Sequence, residues 1–150
     1  HVDMPQPAPH DDPPQPIDAG DGGSDTGEKP WHQAWTRQHP AIEIDDERDA
    51  ISDNGQEVWN FLAQRGVKNV IVMGVHTNMC VLHRPCAIKA LVRRGLHVTL
   101  VRDLTDTMYN PPRPPYVSHD EGTRLVVEYI EKFWCPTISS ADLIGDKPRE

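Results

Sequence analysis

A parallel α/β fold is what this sequence predicts, and three observations predict it. Apolar runs of strand length alternate with segments whose apolar residues recur at helical spacing. The resulting order, β-α-β-α-β-α-β over residues 41–144, is the alternation that gives a parallel sheet with crossover helices. The run Val70-Ile71-Val72-Met73 ends in Gly74 and a short polar turn, which fits a buried strand feeding a helix. A length of 150 residues, 37% hydrophobic and 25% charged, suits one domain with a modest core.

Residues 1–40 read as an irregular segment and 41–150 as the α/β domain. The first thirty residues hold seven of the fifteen prolines and six aspartates, with no hydrophobic period. Such a stretch buries too little surface to fold alone, so it is expected to lie as a long loop on a neighbouring surface. Its acidic run around Asp18, Asp21 and Asp25 suits calcium in ligand type, but its spacing fits no EF-hand loop. Trp31 and Trp35 flank His32; they read as packing at the loop–core boundary, with a substrate platform as the other reading. Residues 41–44 form a short strand candidate.

Asp53 and Gln56 then have the spacing of a capping box. Val58, Phe61, Leu62 and Arg65 follow helical spacing, and Gly66 ends that helix. A strand over 67–73 comes next. The helix after the turn is expected to run to about Arg94, with Val81, Pro85, Ile88 and Val92 on one face. Pro85 should kink it or loosen its first turns. Gly95 closes it. The strand over 97–104 carries Val98, Leu100 and Val101, with Asp103 at its carboxyl end. Residues 110–115 form a stiff proline-rich loop. Ser118 and Glu121 make a second capping box, followed by the stripe Leu125, Val126, Tyr129, Ile130 and Phe133. Thr137, Ile138 and Ser139 with Leu143 and Ile144 suggest a last short strand.

The charge balance narrows function. A net charge of -8 argues against nucleic acid or an anionic membrane as partner. No apolar run approaches the roughly 20 residues that cross a bilayer. Three cysteines, Cys80, Cys86 and Cys135, cannot all pair with one another, and no CxxC is present. A reducing, cytoplasmic compartment is the default, and a removed export signal ahead of His1 is left open. The turn after Gly74 lacks the glycines of a nucleotide-binding loop, and no GK[ST] occurs.

Chemistry concentrates in Gly74-Val75-His76-Thr77-Asn78-Met79-Cys80-Val81. In α/β sheets ligands bind beyond the carboxyl ends of strands. A thiol in the first turn of the following helix meets unpaired N–H groups and the positive end of the dipole. Both favour thiolate over thiol. Without that context Cys80 would read as a small buried apolar residue, which is how Cys86 and Cys135 are read. His76, Cys80 and His83 stand at i, i+4 and i+7, which could hold zinc. But His76 belongs to the turn, and no fourth ligand is evident. His119 reads as a helix-start residue rather than a ligand.

This stretch, with the apolar helix after it, Gly95 and the strand to Asp103, resembles the isochorismatase-like cysteine hydrolases, which include nicotinamidases and N-carbamoyl amidases. The resemblance covers residues 53–145, and the first fifty residues do not match the family's opening. It implies a three-layer, Rossmann-like α/β/α domain. It also implies that Cys80 is the nucleophile attacking a carbonyl carbon of a small amide. The Val75–His76 bond is then expected to be cis, with the amides of His76 and Cys80 forming the oxyanion hole. Thr77, Asn78 and Asp103 are candidate substrate contacts, and turn capping is an equal reading of Asp103. The family's general-base aspartate and supporting lysine find no counterpart. Asp3 lacks an apolar lead-in, and only Arg48 stands near the lysine position. The resemblance therefore implies the carboxyl-terminal portion of a longer chain, or a homo-oligomer or second chain completing the sheet. No cofactor is indicated, and a divalent metal is left open. A non-catalytic binding or assembly relative is the alternative function, and a thiol redox sensor the third.

Overall fold

The computed structural model of the chain describes residues 1–23, 36, 37 and 39–144. Trp31, His32 and Trp35 lie outside them. Helix α1 spans Gly55–Gln64. Its cap is Asn54, one residue past the expected Asp53. The Asn54 side-chain oxygen accepts from the N–H groups of Gln56 and Glu57, at 2.9 and 3.2 Å. Gly66, at φ 64°, turns the chain out of α1 in the left-handed conformation that glycine adopts without a Cβ clash.

Strand β1 spans Asn69–Val75. The long helix expected after it is instead two short ones, α2 at Cys80–His83 and α3 at Ile88–Val92. The break has a local cause. Proline disfavours the helical region for the residue before it, and Arg84, preceding Pro85, sits at φ -58°, ψ 156°. Strand β2, His97–Asp106, runs two residues past the expected end. Helix α4, His119–Phe133, starts at Ser118, whose hydroxyl accepts from Glu121 N at 3.2 Å. Strand β3 is Thr137–Ile138 and helix α5 is Ser140–Ile144. Leu143 and Ile144 thus belong to a helix rather than to the last strand.

The sheet is three-stranded, parallel throughout, in the order β1-β2-β3. Residues 41–44 add no fourth strand. Ile42 and Ile44 are exposed, and Ile42 N instead closes a local turn on His39 O. Val98 and Leu100 of β2 face a core built with Leu82 of α2, Ile88 and Leu91 of α3, and Val126 and Ile130 of α4. Leu82, Ile88, Leu100, Val126 and Ile130 are fully buried. On β1, by contrast, exposure alternates. Val70 and Val72 pack on that core, whereas Ile71, Met73 and Val75 are 49%, 50% and 60% exposed. The strand expected to be buried is instead a sheet edge, and no described element covers its second face.

The proline- and aspartate-rich segment forms no helix or strand as far as Gly23. It is tied down along the helical layer by polar contacts. Trp59 Nε1 donates to Asp3 O, and Ala8 N donates to Arg93 O at 2.7 Å. His10 stacks on Trp134 with ring centroids 4.2 Å apart. Asp12 pairs with Lys89 at 2.6 Å and accepts from Tyr129 OH at 2.8 Å. Further on, Gln15 Nε2 donates to Asn78 O, and Asp18 pairs with Arg113. The segment thus runs from α1 across α3 and α4 to the carboxyl ends of the strands.

Among the described residues, no helix is long and apolar enough to cross a membrane.

Candidate active site

The turn between β1 and α2 is fixed before any chemistry is considered. The Val75–His76 peptide is cis. Thr77 N donates to Asp106 O at 2.8 Å, which ties the turn to the end of β2. Thr105 OH donates to Gly74 O at 2.8 Å, so the 2.6 Å contact between the two hydroxyls has Thr77 as donor to Thr105. Asn78 spends both ends of its amide on Met108: Nδ2 donates to the carbonyl at 3.0 Å, and Oδ1 accepts from the N–H at 2.8 Å. The N–H groups of Met79 and Val81 both donate to His76 O, at 3.0 and 3.2 Å. Among the described residues, no acceptor is recorded for the N–H of His76 or of Cys80.

Cys80 opens α2 and is half-buried. It lines an open hollow of about 410 Å³ with Asn78, Met79, His83, Arg84 and Pro85. Because α2 is a single turn, it brings little helix dipole, and the expected source of charge stabilisation is weak. A cation stands there instead. The Arg84 guanidinium stands beside the Cys80 sulfur, and that neighbour raises the arginine's pKa. His83 shares the hollow. Burial, and then the charge of Lys89, hold its pKa below the usual imidazole value, so the ring is neutral at pH 7. Cys135 is buried, which pushes its thiol up to about 11. Cys86 is half-buried.

The other site candidates are placed elsewhere. Thr77 has no exposed surface and Asn78 is 4% exposed. Their side-chain polar groups hold the turn, and Asn78 also lines the Cys80 hollow. Asp103 is not at the end of its strand. Its carboxylate accepts from Ser140 N at 2.7 Å and from Ser140 OH at 2.6 Å, so it caps the start of α5. The hydrogen bonds from Ser140 hold its pKa below the ordinary carboxylate value. His76 lines a second hollow, of about 470 Å³, with Gly22, Gly23, Tyr109 and His119. His76 therefore opens onto a different hollow from Cys80 and His83, and the three do not converge on one point. Among the described residues, no group of three or more His, Cys, Asp or Glu side chains is arranged to hold a metal ion. Arg48 is paired with Asp45 at 2.7 Å on the surface.

The carboxylate that ends β2 is Asp106, which the sequence reading passed over. Its Oδ1 accepts from His119 Nε2 at 2.8 Å, Thr107 N at 2.9 Å and Thr123 Oγ1 at 3.1 Å. The other ring nitrogen of His119 lies 2.9 Å from Tyr109 O. Both nitrogens face acceptors, so both donate and the ring is an imidazolium. The bond to Asp106, then the one to Tyr109, raise the His119 pKa. Burial alone would raise that of Asp106, but the bond and charge of His119 outweigh it and the net shift is downward. The stabilisation from His119 is whole below its unfolded value near 6.5 and is lost as pH rises through the raised folded value. The share from Asp106 is present above 3.8 and is lost as pH falls through the depressed value. The pair therefore works best between the two unfolded values. His119→Gln is expected to cost about 0.5–1 kcal/mol at pH 5.5, a small figure because the pair is partly exposed, and less at pH 9. Urea unfolding at the two pH values checks this; an equal cost at both would refute it.

Two of these residues carried a readable signal. Arg84 follows Cys80 by one helical turn, and His119 opens a capped helix. The Asp106 pairing carried none, since it joins a strand end to a helix start across a proline-rich loop.

The family model described as Isochorismatase domain matches residues 9–113, more than half of the chain. This corrects the expected span of 53–145. The match begins inside the proline-rich segment and ends before α4. No curated protein and no solved structure matches the chain.

Proposed function

The chain belongs to the isochorismatase domain family, and from that premise we propose a hydrolase that cleaves a C–N bond of a small amide with the Cys80 thiolate as nucleophile. The observation that carries this reading is the place of Cys80, just past the cis Val75–His76 turn and at the wall of an open hollow that Arg84 and His83 also line.

In the proposed reaction the thiolate attacks the amide carbonyl carbon, and the carbonyl oxygen becomes an oxyanion. The free N–H groups of His76 and Cys80 are the donors assigned to that oxyanion. The C–N bond then breaks, the amine leaves with a proton, and a thioester on Cys80 remains. Water hydrolyses the thioester to the acid and restores the thiol. His83, neutral and in the same hollow, is the described base assigned to take the thiol proton.

The second reading, a relative that binds but does not cleave, is favoured by one observation. Among the described residues, neither a lysine nor a carboxylate lines the Cys80 hollow. The two are separated by ammonia release from a panel of small primary amides, measured before and after one equivalent of iodoacetamide. Mass spectrometry locates the modified cysteine. Turnover that disappears in proportion to Cys80 alkylation is expected. Turnover that survives complete alkylation of Cys80, or no turnover by the untreated protein, would overturn the proposal.

A further inference from the structure

Arg84 has more hydrogen-bonding capacity than its surroundings use. A guanidinium presents five N–H donors in a planar fork that matches a carboxylate. Its guanidinium stands beside the Cys80 sulfur, and among the described residues it forms no ion pair. Asp53 acts on it by charge, without a hydrogen bond. The other titratable side chain lining the hollow is His83, which is neutral. The remaining wall is largely apolar, with Met79 and Pro85, so the guanidinium is its charged group. In a chain of net charge -8, a cation with unspent donors beside the nucleophile is a selective feature.

We propose that Arg84 makes the Cys80 hollow a site for anionic amides, selecting substrates that carry a carboxylate a few bonds from the scissile C–N bond. The inference rests on the hydrolase reading for the word substrate, but not for the anion preference itself. The guanidinium fork takes the carboxylate through charge-assisted hydrogen bonds, and this orients the amide carbonyl toward the sulfur.

The test separates anion selection from thiolate activation. Iodoacetate and iodoacetamide both react with the thiolate, losing iodide as the S–C bond forms, and they differ in carrying a carboxylate or a neutral amide. The ratio of their rates at Cys80 therefore cancels the fraction of thiolate. Relative to a free cysteine peptide, the ratio is expected to favour iodoacetate by about tenfold, the size of one charge-assisted hydrogen bond. Arg84→Gln should return it to the peptide value, and Arg84→Lys should retain part of it. Arg84 is exposed, so both variants are expected to fold, with circular dichroism as the check. A ratio unchanged by Arg84→Gln would overturn the proposal. Succinamate and butyramide give the matching pair of amides. A preference for succinamate that Arg84→Gln removes, chiefly through KM, supports anion selection in turnover. Equal hydrolysis of the two by the unaltered protein defeats the anion preference and leaves the hydrolase reading standing. If neither is hydrolysed but the alkylation ratio depends on Arg84, the hydrolase reading falls and the anion-selecting hollow remains.

Discussion

Cys80→Ser is expected to lower amide turnover by about a thousandfold or more while changing stability by less than about 0.5 kcal/mol. The two halves of that expectation come from different features of the site. Stability is spared because the side chain is half-buried and lines an open hollow, so an oxygen in place of sulfur meets little desolvation and leaves no void. Turnover is not spared because a hydroxyl is hardly ionised at pH 7, and Arg84 cannot change that by charge alone. The serine would need a strong base in direct contact, as serine nucleophiles do. His83 lines the same hollow, but among the described residues its ring makes no hydrogen bond to Cys80, so a hydroxyl there has no base in contact to take its proton. Steady-state ammonia release and urea unfolding on the same preparations check both halves. Cys86→Ser serves as the control and should keep full activity. Turnover in Cys80→Ser within tenfold of the unaltered protein would remove the nucleophile from the mechanism.

The readable parts of the sequence were those set by short-range chemistry. The strand over Val70 and Val72, the cap at Ser118, the exits at Gly66 and Gly95, and the thiol that opens the helix after the β1 turn follow from spacing or from the conformational freedom of glycine. What escaped depended on long-range company. An apolar run reads the same whether one face or both are covered, so Ile71 and Met73 gave no warning that β1 is an edge. Residues 41–44 alternate like a strand, but a strand needs a partner, and none stands beside them among the described residues. The proline at position 85 announced a kink; that the residue before it would leave the helix altogether needed the ψ of Arg84. The break also shapes what surrounds the sulfur. It shortened α2 to one turn, and it places Arg84, outside the helix, beside the sulfur. In the same way Asp103 seemed to end β2 because the apolar run stops there. The strand continues through polar residues to Asp106, where pairing with β1 rather than burial keeps it extended.

Asn78→Ala is expected to cost about 2–4 kcal/mol and to lower kcat by about ten- to a hundredfold, with the larger share of any turnover loss in kcat rather than KM. The stability loss follows from pairing. Both ends of the Asn78 amide are bonded to Met108, and an alanine leaves that N–H and carbonyl without their partners in a region that is part-buried. The loss in kcat follows from position. Asn78 lies two residues before Cys80, and its own carbonyl is held by Gln15 from the proline-rich segment. Releasing its side chain frees the turn to shift the sulfur relative to the N–H groups of His76 and Cys80, and reacting atoms misplaced by about 1 Å forfeit much of the benefit of orientation. Asn78→Asp gives the sharper comparison. It keeps an acceptor for Met108 N but turns a carboxylate oxygen toward Met108 O, so ionisation of the new group is unfavourable in the folded chain. Its folded pKa is then raised above the ordinary aspartate value, and its cost should grow as pH rises from about 4 to 7. Chemical unfolding across that range, with kcat and KM at pH 7, checks both variants. An Asn78→Ala protein of unaltered stability would show that the bonds to Met108 contribute nothing net. One that is destabilised yet fully active would show that the turn keeps Cys80 in place without them.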